Sequence, residues 1–283
     1  MTTHNLGAAL ASMGKKVLLV DGDAQANLTD HILSSVDVPN ISDYLNDDNI
    51  QFTPAVVSDR LHIIPGSTSL DVDAHNIELQ IEQDMNEATH YIKTFIDRVG
   101  RAYDFVLIDS APGSGAILVN IIVAASELIV PIADKDSIAG ARKLTQIIAA
   151  NNRGIRGHYL LTKQSHTAIS KQIKNLLMSQ SSDNLYHTAI RQCEDLNKAS
   201  AMCMSIFDFA PKSNGAEDYL SLATEIVGAK KTLHLLQTEL ESEKNFMLAD
   251  TDMERTLVVF RKKGKTAMKY PRKAGMPSKQ PLG

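Results

Sequence analysis

Five short apolar runs, at residues 17–20, 61–64, 105–108, 128–131 and 159–161, are rich in Val, Ile and Leu with almost no polar interruption. A strand wetted on one face alternates polar with apolar, whereas a strand covered on both faces reads as a continuous apolar run. Between these runs lie stretches with helical spacing, roughly 77–99, 118–125, 137–151, 170–179 and 216–246. Strand and helix in alternation build a parallel sheet with helices on both faces. The expected class is α/β, a doubly wound, mostly parallel sheet followed by a C-terminal helix and a tail. Residues 34–58 read as a surface excursion, and no internal repeat is visible.

Composition removes several function classes. No apolar run approaches the ~20 residues that span a bilayer, and no basic-then-apolar leader opens the chain. Cys193 and Cys203 are the only cysteines and belong to neither a CxxC pair nor a Cys/His cluster. The expectation is a cytoplasmic protein without structural zinc. The nine histidines never reach ligand spacing. Net charge is −4, but residues 255–283 hold nine Lys or Arg and no acid, which leaves residues 1–254 at −13. A basic tail on an acidic body suits an anionic surface, nucleic acid or membrane. Pro271, Gly275, Pro277 and Pro281 favour a solvated, disordered segment instead. The expected division is a domain over 1–230, a helical extension over 231–254 and the tail over 255–283.

Three stretches carry candidate chemistry. In Val20-Asp21-Gly22-Asp23, two acids stand where a buried strand gives out. That is the carboxyl edge of a parallel sheet, where open α/β sheets bind ligands. Alone, the pair also reads as a polar strand end capping the next helix. The second, Tyr103-Asp104-Phe105-Val106-Leu107-Ile108-Asp109, delivers one carboxylate from an apolar strand and is followed by Pro112, Gly113 and Gly115. This is a Walker B layout, with glycines that let a loop move with phosphate state. The third, Pro211-Lys212-Ser213-Asn214-Gly215-Ala216-Glu217, is a turn and a helix start.

Together these stretches resemble the ParA/Soj family of partition ATPases, deviant Walker P-loop proteins that include MinD. The family pattern NLAxxLAxxGKRVLLxDxDPQGNLT is followed by Asn5–Ala11 and Gly14–Thr29, YDxVLIDxPP by Tyr103–Pro112, and PKSxGAExYLxLAxEI by Pro211–Ile226. Ala24, Ala26 and Ala111 replace a Pro, a Gly and a Pro of the pattern. The resemblance covers about residues 2–228 and implies a P-loop NTPase fold with an AAA-type nucleotide domain.

It also implies a set of roles. Asp23 would orient the attacking water, and Asp21 and Asp109 would serve the Mg²⁺ of ATP. Thr162 and Lys163 would lie near the base, where the family more often has Asn. Lys171, Lys174, Lys198, Lys212, Lys230 and Lys231 would meet DNA. The implied partners are a second copy in an ATP-dependent homodimer, nonspecific DNA of the nucleoid and a ParB-like centromere-binding protein. A membrane partner is not expected. Two alternatives stay open: a MinD-like membrane ATPase anchored by residues 256–270, and a non-catalytic ParA fragment.

One part of the pattern has no counterpart. Met1 falls just after the lysine and threonine of the family's KGGVGKT loop. The expectation is a chain that lacks the first strand and the phosphate loop, about fifteen residues, and is inactive as it stands. A misplaced gene start explains this more simply than a loop-free enzyme. The family strand runs inside the sheet, so its loss should leave two neighbouring strands with facing unpaired backbone groups.

Overall fold

The computed structural model describes residues 1–81, 88–111, 115–150, 155–181, 184–235, 238–247 and 254–262. The chain forms two compact units, Met1–Ala223 and Thr224–Gly283.

In the first unit, helix α1 (Thr2–Ser12) leads into strand β1 (Val17–Gly22), every residue of which is buried. Short helices α2 (Asn27–Ile32) and α3 (Ile41–Asn46) follow, then β2 (Ala55–Ser58) and β3 (Leu61–Ile64). Helices α4 (Leu70–Ile81) and α5 (Tyr91–Val99) precede β4 (Phe105–Ser110). These strands make one sheet of order β2-β3-β1-β4, with β1 parallel to both neighbours and β2 antiparallel at the edge. Leu18, Val20, Ile64, Tyr44 and Phe95 share its core, and the last two rings stack at 5.0 Å. The expected excursion at 34–58 is thus partly inside, since Tyr44 is 2% exposed.

Helix α6 (Ala116–Ala124) then leads to β5 (Glu127–Ile132), α7 (Lys135–Ala150), β6 (Arg156–Leu161) and α8 (Ala168–Ser181). Strands β5 and β6 pair in parallel as a separate two-stranded sheet over a second core of Ile132, Ala141, Leu161, Ile173 and Leu177. The parallel α/β class is as expected, but the sheet is divided between β4 and β5. All of β1 is buried, whereas β4 and most of β5, the strands bordering the division, are only half-buried or exposed. Each has a strand on one side and none on the other among the described residues.

Two expected helices differ, and two helices form where none was expected. The stretch 77–99 is broken around His90, where the buried Asn120 side chain donates to Ala88 O (3.0 Å) and accepts from Ile92 N (3.4 Å). A carboxamide that takes main-chain groups replaces a helical turn there. Helix α9 (Glu194–Ala201) and α10 (Ile206–Phe209) occupy a stretch without an expected element. Helix α11 (Asn214–Leu235) stops well short of 246.

In the second unit the chain turns into an antiparallel hairpin, β7 (Thr238–Met247) with β8 (Glu254–Lys262), in a register that sets Glu239 opposite Arg261. The helical extension expected over 231–254 is therefore helix only to Leu235, and the first part of the expected disordered tail is strand. The β-branched run Leu257-Val258-Val259-Phe260 fits a pleated strand better than a helix. Residues 263–283 lie outside the described residues.

Candidate functional site

Asp21 and Asp109 are register partners at the carboxyl ends of β1 and β4, and Asp23 follows directly from β1. Parallel pairing thus brings Asp109 beside Asp21 and Asp23, which are distant from it in sequence, at the sheet edge where α/β folds hold ligands. Asp109 is half-buried and accepts a hydrogen bond from the Thr3 hydroxyl in the first turn of α1. The Thr3 hydroxyl is the contact that ties the first turn of helix α1 to this edge of the sheet. Asp23 is half-buried, and its Oδ1 accepts from Gln25 N (2.9 Å).

Asp21 is 0% exposed. Its Oδ2 accepts from Thr29 N (2.8 Å) and Thr29 Oγ1 (2.7 Å), and its Oδ1 from Asp23 N (3.2 Å). Burial pushes the Asp21 carboxyl above its usual value, and the Thr29 and Asp23 hydrogen bonds oppose that shift. As Mg²⁺ ligands the two acids differ. Asp109 is open enough to meet a hydrated ion beside the Thr3 hydroxyl, whereas Asp21 is enclosed and committed to protein donors. Among the described residues no group of three or more His, Cys, Asp or Glu could hold a metal by itself. A hard cation here would therefore draw most of its oxygens from a nucleotide and water.

Thr162 and Lys163 stand at the carboxyl end of β6, on the second sheet, with Thr162 N donating to Ile132 O (2.9 Å). Lys163 takes the left-handed conformation (φ 50°). Hydrogen bonds from Ser137, helped by the nearby Lys163 charge, hold the Asp134 carboxyl below its usual value. The six lysines are spread over three helices and the turn before α11. Lys171 and Lys174 are exposed on α8, Lys198 on α9 pairs with Glu194 (2.9 Å), and Lys212 is exposed before α11. Lys230 and Lys231 lie on α11, with side chains outside the description.

Several residues of this region escape sequence reasoning. The first turn of α1 is tied to four distant elements. Thr2 Oγ1 accepts from Tyr219 OH (3.5 Å), Thr3 reaches Asp109, Asn5 Oδ1 accepts from Ile206 N (2.7 Å), and His4 packs edge-on against His31 (5.6 Å between ring centres). Arg191 donates to Asp218 (2.7 Å) and Glu217 (2.7 Å), which fixes the start of α11 and holds the guanidinium pKa above its usual value. These ties depend on the fold, and no local pattern announces them. The Gly-to-Ala departure at Ala26 does have a local reading. Ala26 adopts φ 50°, a left-handed conformation that costs a Cβ-bearing residue ~1 kcal/mol.

His4 gives a testable pH dependence. It is 4% exposed and its Nδ1 has no hydrogen-bond partner. Burial, and next the neighbouring His31, lower its pKa from 6.5 to about 4. The folded protein therefore holds His4 neutral where the unfolded chain takes up a proton. Stability from this group is complete above pH 6.5, falls as pH drops toward 4, and levels off below. The full loss is about 3 kcal/mol. Urea unfolding between pH 7 and 4 should show a shallower decline for His4→Leu than for the parent. Parallel curves would contradict this account.

Comparison with known proteins agrees with the geometry. The family described as AAA domain matches residues 1–158, more than half of the chain. The sporulation initiation inhibitor protein Soj of Bacillus subtilis is 28% identical over 236 residues, spanning 80% of this chain and 91% of that protein. The chromosome partitioning protein ParA of Caulobacter vibrioides is 25% identical over 240 residues, spanning 81% of this chain and 89% of that protein. A putative plasmid partition protein from Borrelia burgdorferi bound to AMPPNP shares the fold with a TM-score of 0.67 at 21% identity, covering 81% of this chain and 92% of that one. Cobyrinic acid a,c-diamide synthase from Mycobacterium smegmatis, with an ATP analogue and magnesium, does so with a TM-score of 0.63 at 19% identity, covering 82% and 89%. The sheet, its acidic carboxyl edge and these matches lead to one assignment: the chain belongs to the AAA domain family, in its ParA/Soj partition branch.

Proposed function

We propose that the protein serves DNA segregation as the ATPase of a partition system, cycling between nucleotide-bound dimers on nonspecific DNA and forms released by a ParB-like partner. The observation that carries this reading is the meeting of Asp109, Asp23 and the Thr3 hydroxyl of α1 at one sheet edge. Asp23 orients the attacking water, Asp109 serves the Mg²⁺ that neutralises the phosphates, and residues 162–163 border the base. Magnesium supplies charge neutralisation when bound. Asp23 and Asp109 supply fixed acceptors, and the amides of α1 supply donors.

The phosphates still need a cradle. No G-x-x-x-x-G-K-[ST] occurs in the 283 residues, and backbone donors of such a loop bear most of the triphosphate contacts. The division between β4 and β5 is where we place the strand that would carry that loop into α1. Support comes from the half-exposed state of β4 and β5 and the lack of a strand between them among the described residues. The protein acts at the nucleoid in the cytoplasm.

DNA contact has two candidate sources, the folded lysines and the tail. Nine cations without an acid displace condensed counterions, with a log–log salt slope of ~0.9 per phosphate contacted. In the 283-residue chain the tail is expected to dominate. Deleting residues 255–283 should abolish retention on random duplex and flatten its salt dependence. In a nucleotide-bound dimer the folded surface should dominate, so that charge reversal at Lys212 or Lys230 weakens binding more than the deletion does. Salt-titrated retention measures both, and indifference to every change would remove DNA from the function. The MinD-like alternative requires residues 256–270 to act as an amphipathic membrane helix, whereas residues 254–262 form a strand. Pelleting with anionic vesicles but not with DNA would favour it. A fragment without catalysis would retain DNA yet stay inert in every nucleotide assay even after an N-terminal strand and KGGVGKT loop are added.

A further inference from the structure

The surroundings of Asp21 suit a different task from metal binding. Thr29 Oγ1, which donates to Asp21 Oδ2, also accepts from Gly66 N (2.8 Å) in the loop after β3. A Cβ on Gly66 would stand 2.9 Å from Asp21 Cγ and 3.1 Å from Asp23 O. Only a glycine lets that loop lie so close to the carboxylate without displacing it. One buried carboxylate thus fastens the backbone of Asp23, the N-terminal half of α2 and, through Thr29, the loop after β3. We infer that Asp21, Thr29 and Gly66 form a three-way knot that sets the position of Asp23, with Asp21 a positioning residue and not a metal ligand.

A buried carboxylate that has surrendered its hydration is stable only when fixed donors replace it. Here three donors do so, and they come from the loop and helix that frame Asp23. Pulling Asp21 toward a hydrated cation would break those bonds and strand the Thr29 amide, which is buried with it. Holding it in place fixes the exit of β1, and with it the start of the turn in which Asp23 accepts from Gln25 N. The inference rests on the reading of Asp23 as the water-orienting carboxylate for its functional meaning. The knot itself does not depend on that reading.

The test uses amide exchange by NMR on the full chain, without nucleotide, so its outcome is separate from that of the proposed function. Thr29→Val removes the hydroxyl at nearly constant volume and should speed exchange at the Gly66 and Asp23 amides by about tenfold or more. Thr29→Ser keeps the hydroxyl and should restore parental rates. Interior amides of β1 should be unaffected in both. Unchanged Gly66 and Asp23 amides in Thr29→Val, or no rescue by Thr29→Ser, would overturn the knot. Mn²⁺ supplies the second arm. Asp21→Asn should leave Mn²⁺-induced broadening around Asp109 as in the parent, whereas Asp109→Asn should remove it. Equal loss in both variants would make Asp21 a ligand.

Discussion

A polypeptide of these 283 residues alone is expected to hydrolyse ATP no faster than the uncatalysed control and to hold it only weakly. Adding an N-terminal apolar strand and a KGGVGKT loop should raise turnover by about a thousandfold or more. The reason is the charge of the triphosphate. Four negative charges need either fixed donors or water, and the described edge offers the first amides of α1, one hydroxyl at Thr3 and two nearby acids. Acids without a cation and a phosphate loop repel the ligand more than they orient it. Equilibrium binding of a fluorescent ATP analogue, with phosphate release measured alongside, checks both halves. Magnesium-dependent turnover in the 283-residue chain equal to that of the extended form would refute the account of the phosphate site.

The second large effect concerns Asp23 in that extended form. Replacing it with Ala should lower kcat by about 10²–10³-fold while ATP affinity changes little. Asp23 is half-buried and its Oδ1 holds only a local turn, so removing the carboxylate costs little structure. A group that orients water acts on the transition state and contributes little to the ground-state complex. Single-turnover kinetics separate the two steps. Equal loss of binding and turnover would make Asp23 structural, and undiminished turnover would remove it from the mechanism.

The parallel sheet was legible because its strands are near-continuous apolar runs, although only β1 is buried throughout. The runs at 17–20, 61–64, 105–108, 128–131 and 159–161 all lie within observed strands. The carboxylates at the ends of β1 and β4 were legible as strand ends, but their register was not, because pairing is a long-range outcome. The task of Asp21 was hidden for the same reason. Thr29 and Gly66 are ordinary residues in the sequence, and their meaning comes from the loop after β3 lying against α2. Around His90 a helical pattern misleads because Asn120, distant in sequence, takes the main-chain groups of Ala88 and Ile92. At the C-terminal end, residues 238–247 are Glu-rich and have good local helix propensity, yet pairing with the β-branched run of β8 overrides it. Local preference decides little where a partner strand is available.

We propose that this ParA-type fold keeps a place for one strand between β4 and β5, and that the phosphate site is complete only when that place is filled. Amide hydrogen exchange on β4 and β5, compared between the 283-residue chain and the form extended by the strand and KGGVGKT, tests it most directly. The account predicts that the extension slows exchange along both strands by about a hundredfold or more, while β1, already paired on both sides, changes little. Unchanged exchange on β4 and β5 in an extended form that is otherwise folded would contradict it.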